Sequence, residues 1–145
     1  MSYTSKAEMV DRFGELEMIQ LTDREITGLL DEDVLNRALA DADALLDGYL
    51  RLRYAIPVDD ATGLLSMLAA DVTRYLLYDE HPTDIVKERY EKALERLKEI
   101  ARGLVTLDAD SADSGDEDAA TASGTVAVVA NSQVFTSDTL DALSL

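Results

Sequence analysis

A chain of 145 residues with 30 acidic and 13 basic side chains has a formal charge of −17 and a pI near 4.1. Such a surface repels phosphate backbones, so general nucleic-acid binding is disfavoured unless a local basic patch overrides the field. With no cysteine in the sequence, a disulfide framework, a thiolate nucleophile and a zinc–thiolate site are excluded.

Although 47% of the residues are apolar, no run approaches the roughly 18 to 20 consecutive apolar residues that a membrane-spanning helix needs. The opening stretch MSYTSKAEMVDRFG has no apolar signal-type segment, so the expectation is an intracellular protein with one ordinary core. The charge is uneven. Residues 1–107 hold all 13 Lys and Arg with 22 acids, whereas residues 108–145 hold 8 acids and no base.

The first segment offers Thr4 or Ser5 as an N-cap, with Met9, Val10 and Phe13 at helical intervals before Gly14 interrupts. Leu16, Ile19 and Leu21 form a second brief apolar patch that stops at a turn or cap at Thr22-Asp23. From Asp31 the pattern strengthens. Leu35, Ala38, Leu39, Ala42, Leu45, Leu46, Tyr49, Leu50 and Arg53 recur at three and four residues and predict an amphipathic helix. Asp31 is its N-cap, Arg51 and Arg53 suit the negative end of the helix dipole, and Pro57 sets its limit.

A third strong helix is predicted over about 62–78, where Leu64, Leu65, Leu68, Ala69, Val72, Tyr75 and Leu76 make a broad apolar face. HPTD (81–84) supplies a proline and capping residues. A further helix then carries Ile85, Val86, Tyr90, Ala93, Leu94, Leu97, Ile100 and Ala101 as far as Gly103, a natural C-cap. The fold class is therefore all-α: a small bundle of four to five helices over 1–107. Residues 108–124 are an acidic low-complexity linker without a large apolar side chain. Residues 125–145 are an apolar arm, in which Val126, Val128, Val129, Val134 and Phe135 suit a strand and TSDTLDAL, containing Leu140, a capped helical turn.

Reaction chemistry finds little support. The single histidine, His81, sits beside Pro82 in a predicted turn, and no GxSxG, P-loop, GxGxxG or HExxH pattern is present. Asp43 with Asp47, and Asp59 with Asp60, could in principle ligate a divalent cation, but so acidic a composition produces such pairs readily. The DED at 31–33 lacks the glycine and glutamate of a calcium loop. The reading is of a non-enzyme with no cofactor and no metal site.

One dipeptide recurs once in each major helical segment: Arg53-Tyr54, Arg74-Tyr75 and Arg89-Tyr90. Ordinary packing explains it if the rings are buried and the arginines pair with acids. A protein interface also explains it, because Tyr and Arg are enriched where one surface docks on another. Arg51, Arg53, Tyr54, Arg74 and Arg89 are accordingly the interface candidates of the bundle, and Val128, Phe135 and Leu140 those of the arm. The arm is expected to dock on a neighbouring subunit or partner, in preference to its own bundle, since an apolar strand left unpaired is an aggregation hazard.

Several stretches carry a family resemblance: Tyr3-Thr4; Arg12-Phe13-Gly14 with IQLTDR (19–24); Ala38-Leu39 and Ala42-Asp43; DGYL-x-x-RYAIP (47–57); Leu68, Asp71 and RYLLYD (74–79); Glu88-Arg89-Tyr90; and Ile100-Ala101-x-Gly103. Over residues 3–107 this order resembles the small head–tail connector (adaptor) family of Mu-like phages and prophages. FTSDTLDAL (135–143) is similar to the terminal segment of such proteins, and the acidic linker matches less well. The resemblance implies a non-enzymatic virion part at the neck, made in the host cytoplasm. It would form a ring of about twelve copies closed by heterologous contacts. Its implied partners are the portal protein, neighbouring copies of itself and a tail-side completion or terminator protein. DNA would pass through without specific binding, and no membrane is involved. Two readings from other classes stay open: an acidic protein that binds a partner by mimicking DNA, and, more remotely, a small metal-dependent enzyme.

Overall fold

The computed structural model describes residues 1–60 and 62–109; the arm (125–145) and all of the acidic linker except Asp108 and Ala109 lie outside them. Five helices follow in order: α1 Lys6–Phe13, α2 Glu15–Thr22, α3 Glu32–Leu50, α4 Leu64–Tyr78 and α5 Asp84–Ala101, with no strand among the described residues. None of these helices is long and apolar enough to cross a membrane.

Local chemistry sets the helix ends. Ser5 and Glu8 close a reciprocal capping box on α1, and Asp31 accepts the N–H groups of Asp33 and Val34 at the start of α3. Thr83 caps α5. The start of α4 has Gly63 at its cap position and no side-chain cap of its own. The Asp60 carboxylate supplies one from outside, accepting the Leu65 N–H at 2.7 Å and the Thr62 hydroxyl at 2.6 Å. At the end of α5, Gly103 (φ 77°) turns the chain so that its N–H reaches Ile100 O and the Leu104 N–H reaches Glu99 O, a Schellman closure.

Antiparallel packing of α3, α4 and α5 divides the core in two. One half joins the C-terminal part of α3 (Leu46, Leu50), the start of α4 (Leu65, Leu68, Val72) and the end of α5 (Leu97, Ile100), and is roofed by Tyr54, Val58 and Leu107. The other half joins the beginning of α3 (Leu35, Leu39) and the end of α4 (Leu77) to Met9 of α1 and Met18 of α2. The two short helices are too small to stand alone and are held by this second half.

Two expectations need correction. The helix beginning after Asp31 ends at Leu50, three residues before Arg53: residues 51–53 form a turn in which the Arg53 and Tyr54 N–H groups both return to Leu50 O. In α2 the pivot at Gly14 points Met18 and Thr22 inward, one helical turn apart, and leaves Leu16 69% exposed. The buried Thr22 hydroxyl donates to Met18 O and accepts the Asp31 N–H, tying the end of α2 to the cap of α3.

Candidate interaction surface

The three Arg–Tyr pairs are divided between the interior and the surface. Tyr54 lies in the core, 3% exposed, with its hydroxyl accepting the Leu107 N–H at 2.9 Å. The expectation of Tyr54 as a surface contact is therefore corrected: the chain turns after Leu50 so that this ring closes the end of the bundle. Arg53, its neighbour, is exposed and lies across Gly103, where a Cβ would run into the guanidinium. Arg51 is exposed beside it, its Nε donating to Asp47 O at 3.3 Å.

Arg74 is also internal. Its side chain is 16% exposed, its Nε donates to Glu17 Oε1 at 2.6 Å, and its guanidinium sits 4.5 Å from the centroid of the Phe13 ring. The Tyr78 hydroxyl donates to the same Glu17 oxygen at 3.3 Å. One arginine of α4 thus clamps α1 through cation–π attraction and α2 through an ion pair. So enclosed a guanidinium is not available to another protein, and the expectation of Arg74 as a contact residue is corrected as well. Tyr75 and Tyr90 stack on each other across α4 and α5, centroids 3.9 Å apart and planes 6° from parallel.

Arg89 remains half exposed, 3.6 Å from Asp71 Oδ1. It borders a groove of about 400 Å³ between α4 and α5, floored by Met67, Leu68, Asp71 and Ala93 and edged by Lys92 and Arg96. An adjoining depression carries Arg12 and Phe13 on the other side of Asp71. Burial pushes the Asp71 carboxyl above its usual range, and Arg89, Arg74 and Arg12 counter only part of that. Lys92 pairs with Glu88 and Arg96 with Glu99 along the outer face of α5. This neutral, ion-paired trough on a strongly acidic domain has the make-up of a polar contact surface.

The acid pairs weighed as cation ligands have other partners. Asp43 accepts the Tyr3 N–H at 3.0 Å and Asp47 the Tyr3 hydroxyl at 2.5 Å, pinning the segment before α1 to α3. Burial, and then the bond to Asp47, push the Tyr3 hydroxyl up to about 12. Burial works against the charge of Asp60, yet the Thr62 hydroxyl and the N–H groups at the start of α4 hold its pKa below the ordinary carboxylate value. Asp59 and His81 are exposed. Among the described residues no group of three or more His, Asp or Glu converges on one point.

Val128, Phe135 and Leu140 lie outside the described residues. Reading the sequence missed Glu17 and Asp71 as partners of the arginines, Met67 as a groove floor, and the exposed Ile26 and Leu29 of the α2–α3 loop. Glu17 had no signal, because nothing in a local pattern shows which distant acid an arginine reaches. Ile26 and Leu29 had one, since REITGLL carries apolar residues where neither flanking helix needs them.

Fold and surface together define a small all-α bundle protein whose polar side chains serve internal clamps and an ion-paired exterior. The chain belongs to the family described as Bacteriophage Mu, Gp36, whose model matches residues 3–128 and so reaches past residue 107 through the acidic segment. It is 27% identical over 105 residues to the Mu-like prophage FluMu protein gp36 of Haemophilus influenzae, covering 72% of this chain and 74% of that protein. It is 28% identical over 104 residues to Gene product J of Escherichia phage Mu, covering 71% of this chain and 74% of that one. The protein is thus of a Mu-like phage family, which supports a structural or assembly role.

Proposed function

We propose that this protein is a non-enzymatic virion component, a head–tail connector subunit that assembles as a ring beneath the portal and joins the DNA-filled head to the tail. The match to the Mu Gp36 family over residues 3–128 carries the reading. The fold is consistent with it: a short helical bundle with a charged exterior suits a part that works by contact. The partners of this reading are the portal, neighbouring copies and a tail-side completion protein. The net charge of −17 fits a passage through which a duplex moves without adhering, because like charge keeps it off the walls.

The same charge supports a second reading, an acidic protein that occupies the DNA-binding surface of a basic partner. Electron micrographs of virion necks, from particles made with and without the protein, separate the two. The connector reading expects loss of a ring below the portal and full heads without attached tails. Intact necks and tails in its absence would overturn it in favour of the acidic partner-binding reading.

A further inference from the structure

Large apolar side chains stand exposed at both ends of the three-helix stack. At one end are Ile26, 92% exposed, and Leu29 of the α2–α3 loop, together with Ile85 at the start of α5. At the other are Leu52, just past the end of α3, and Leu104, just past the end of α5, each 73% exposed. Helix α3 runs from one end to the other, a separation of about 28 Å at 1.5 Å per residue.

The first end is a held projection. Ile26 adopts φ 58°, a region that a β-branched side chain rarely enters. The Asp23 carboxylate fastens the loop around it, accepting the N–H groups of Thr27 at 2.9 Å and Gly28 at 2.6 Å. Those bonds, the Thr27 N–H foremost, keep Asp23 ionised below the ordinary carboxylate value. A loop fastened this way presents its apolar side chains outward, where a slack loop would fold them onto the bundle.

The ends also differ in charge. Around Ile26, Leu29 and Ile85 lie the exposed carboxylates Glu25, Asp33, Glu80 and Asp84, which outnumber the nearby cations Arg24 and Lys87, while Lys6 is taken up in an ion pair with Glu32. Around Leu52 and Leu104 lie the exposed Arg51, Arg53 and Arg102, none in an ion pair among the described residues. Asp59 and Asp108 are also at this end, while Asp60 is engaged in capping α4. An acidic apolar end and an arginine-bearing apolar end on one molecule complement each other between copies, and cannot meet within a copy.

We infer that copies of this chain associate head to tail, the α2–α3 loop and start of α5 of one copy seating on the Leu52–Leu104 end of the next. Such a contact uses two different surfaces on each copy and so propagates from copy to copy, closing into a ring where the rotation between neighbours permits and otherwise running on as a filament. The inference deepens the connector reading, which supplies the repeated copies, by naming the faces that meet. It also removes the exposed leucines and isoleucines from water and pairs Arg51, Arg53 and Arg102 with carboxylates across the joint.

Because the natural chain has no cysteine, site-directed cross-linking tests the contact directly. The full-length Leu29→Cys, Leu104→Cys double variant is treated with a short bismaleimide, both at high concentration in low salt and within purified particles. Circular dichroism confirms that it is folded. The expected result is a ladder of covalent multimers in either setting, weakened several-fold by added salt and by Arg51→Glu with Arg102→Glu. A Leu29→Cys, Glu91→Cys control, with the second thiol on the exposed flank of α5, yields no ladder. Absence of a ladder in both settings, or a control ladder as strong, overturns the end-to-end contact. Whether the protein copurifies with particles is a separate readout: its absence there counts against the connector reading, and the solution ladder still decides the contact.

Discussion

The guanidinium of Arg53 lies across Gly103, so the turn after α3 is closed over the turn after α5 by a side chain that a Cβ would displace. Two requirements therefore meet at one glycine: a left-handed φ of 77° for the Schellman closure and a bare Cα for the arginine. Gly103→Ala is expected to destabilise the protein by about 1 kcal/mol, almost all from the backbone, because the end of a flexible arginine can move aside. Urea unfolding of Gly103→Ala, Arg53→Ala and the double variant checks this. The two effects should be close to additive, with Arg53→Ala alone small.

Arg74 and Glu17 form the most enclosed ion pair among the described residues. Arg74→Met should cost about 2 to 3 kcal/mol, because it leaves Glu17 without its ion-pair partner in a site largely shielded from water. Arg74→Lys should cost about 1 kcal/mol: the charge survives but the planar contact with the Phe13 ring does not. Denaturation midpoints rank the two variants, and hydrogen exchange should show the loss concentrated in α1 and α2, which this clamp holds to α4.

At Asp71 the sign of the pH effect is opposite to that of a stabilising carboxylate. Its folded-state pKa is raised, chiefly by burial, so its contribution to stability is fully present below the ordinary carboxylate value and is lost as pH rises through the raised one. The ionised form is consequently a burden at neutral pH. Asp71→Asn should match or exceed the natural protein in melting temperature at pH 7, with the advantage shrinking as the pH falls below the carboxylate range. The contact with Arg89, at 3.6 Å on a half-exposed side chain, is too weak to reverse this. Paired melting curves from pH 3 to 7 decide it, and a variant clearly less stable at pH 7 would refute the argument.

The Tyr3 hydroxyl, raised to about 12, makes the prediction at the alkaline end. Its stabilisation is complete below pH 10 and is lost as pH climbs from there to about 12, because the phenolate cannot donate to Asp47 and is repelled by it. Tyr3→Phe should cost about 1 kcal/mol at pH 7. The stability difference between the natural protein and this variant should then shrink across that alkaline window, which separates Tyr3 from the other groups that titrate there.

Much of this architecture was legible before folding. The apolar spacing from Leu35 to Leu50, from Leu64 to Leu76 and from Ile85 to Ile100 marks the three long helices, since one buried stripe recurs every three to four residues. Ser5, Asp31 and Thr83 announce helix starts because capping depends on atoms two or three residues away. The Arg–Tyr dipeptides were visible too, but not their use: Tyr54 and Arg74 face inward while Arg53 and Arg89 stay at the surface. That choice depends on where Leu107, Glu17, Gly103 and Asp71 arrive from other segments, and it left some of the expected contact residues inside the bundle.

Helix class, the principal caps, the charge imbalance and the likeness to a Mu-like phage family were thus readable from the residues alone, all being properties written in neighbouring residues or in composition. Packing of the helices was needed to see which arginines are clamps and which stay at the surface, that Asp43, Asp47 and Asp60 serve as hydrogen-bond acceptors for Tyr3 and α4, and that apolar residues far apart in the chain gather at two ends, one ringed by carboxylates and the other bearing Arg51, Arg53 and Arg102. The physical reason is range. Backbone capping and helical periodicity act within a turn or two, whereas ion pairs, ring stacking and surface patches arise between side chains that share no local pattern and meet only when α3, α4 and α5 pack.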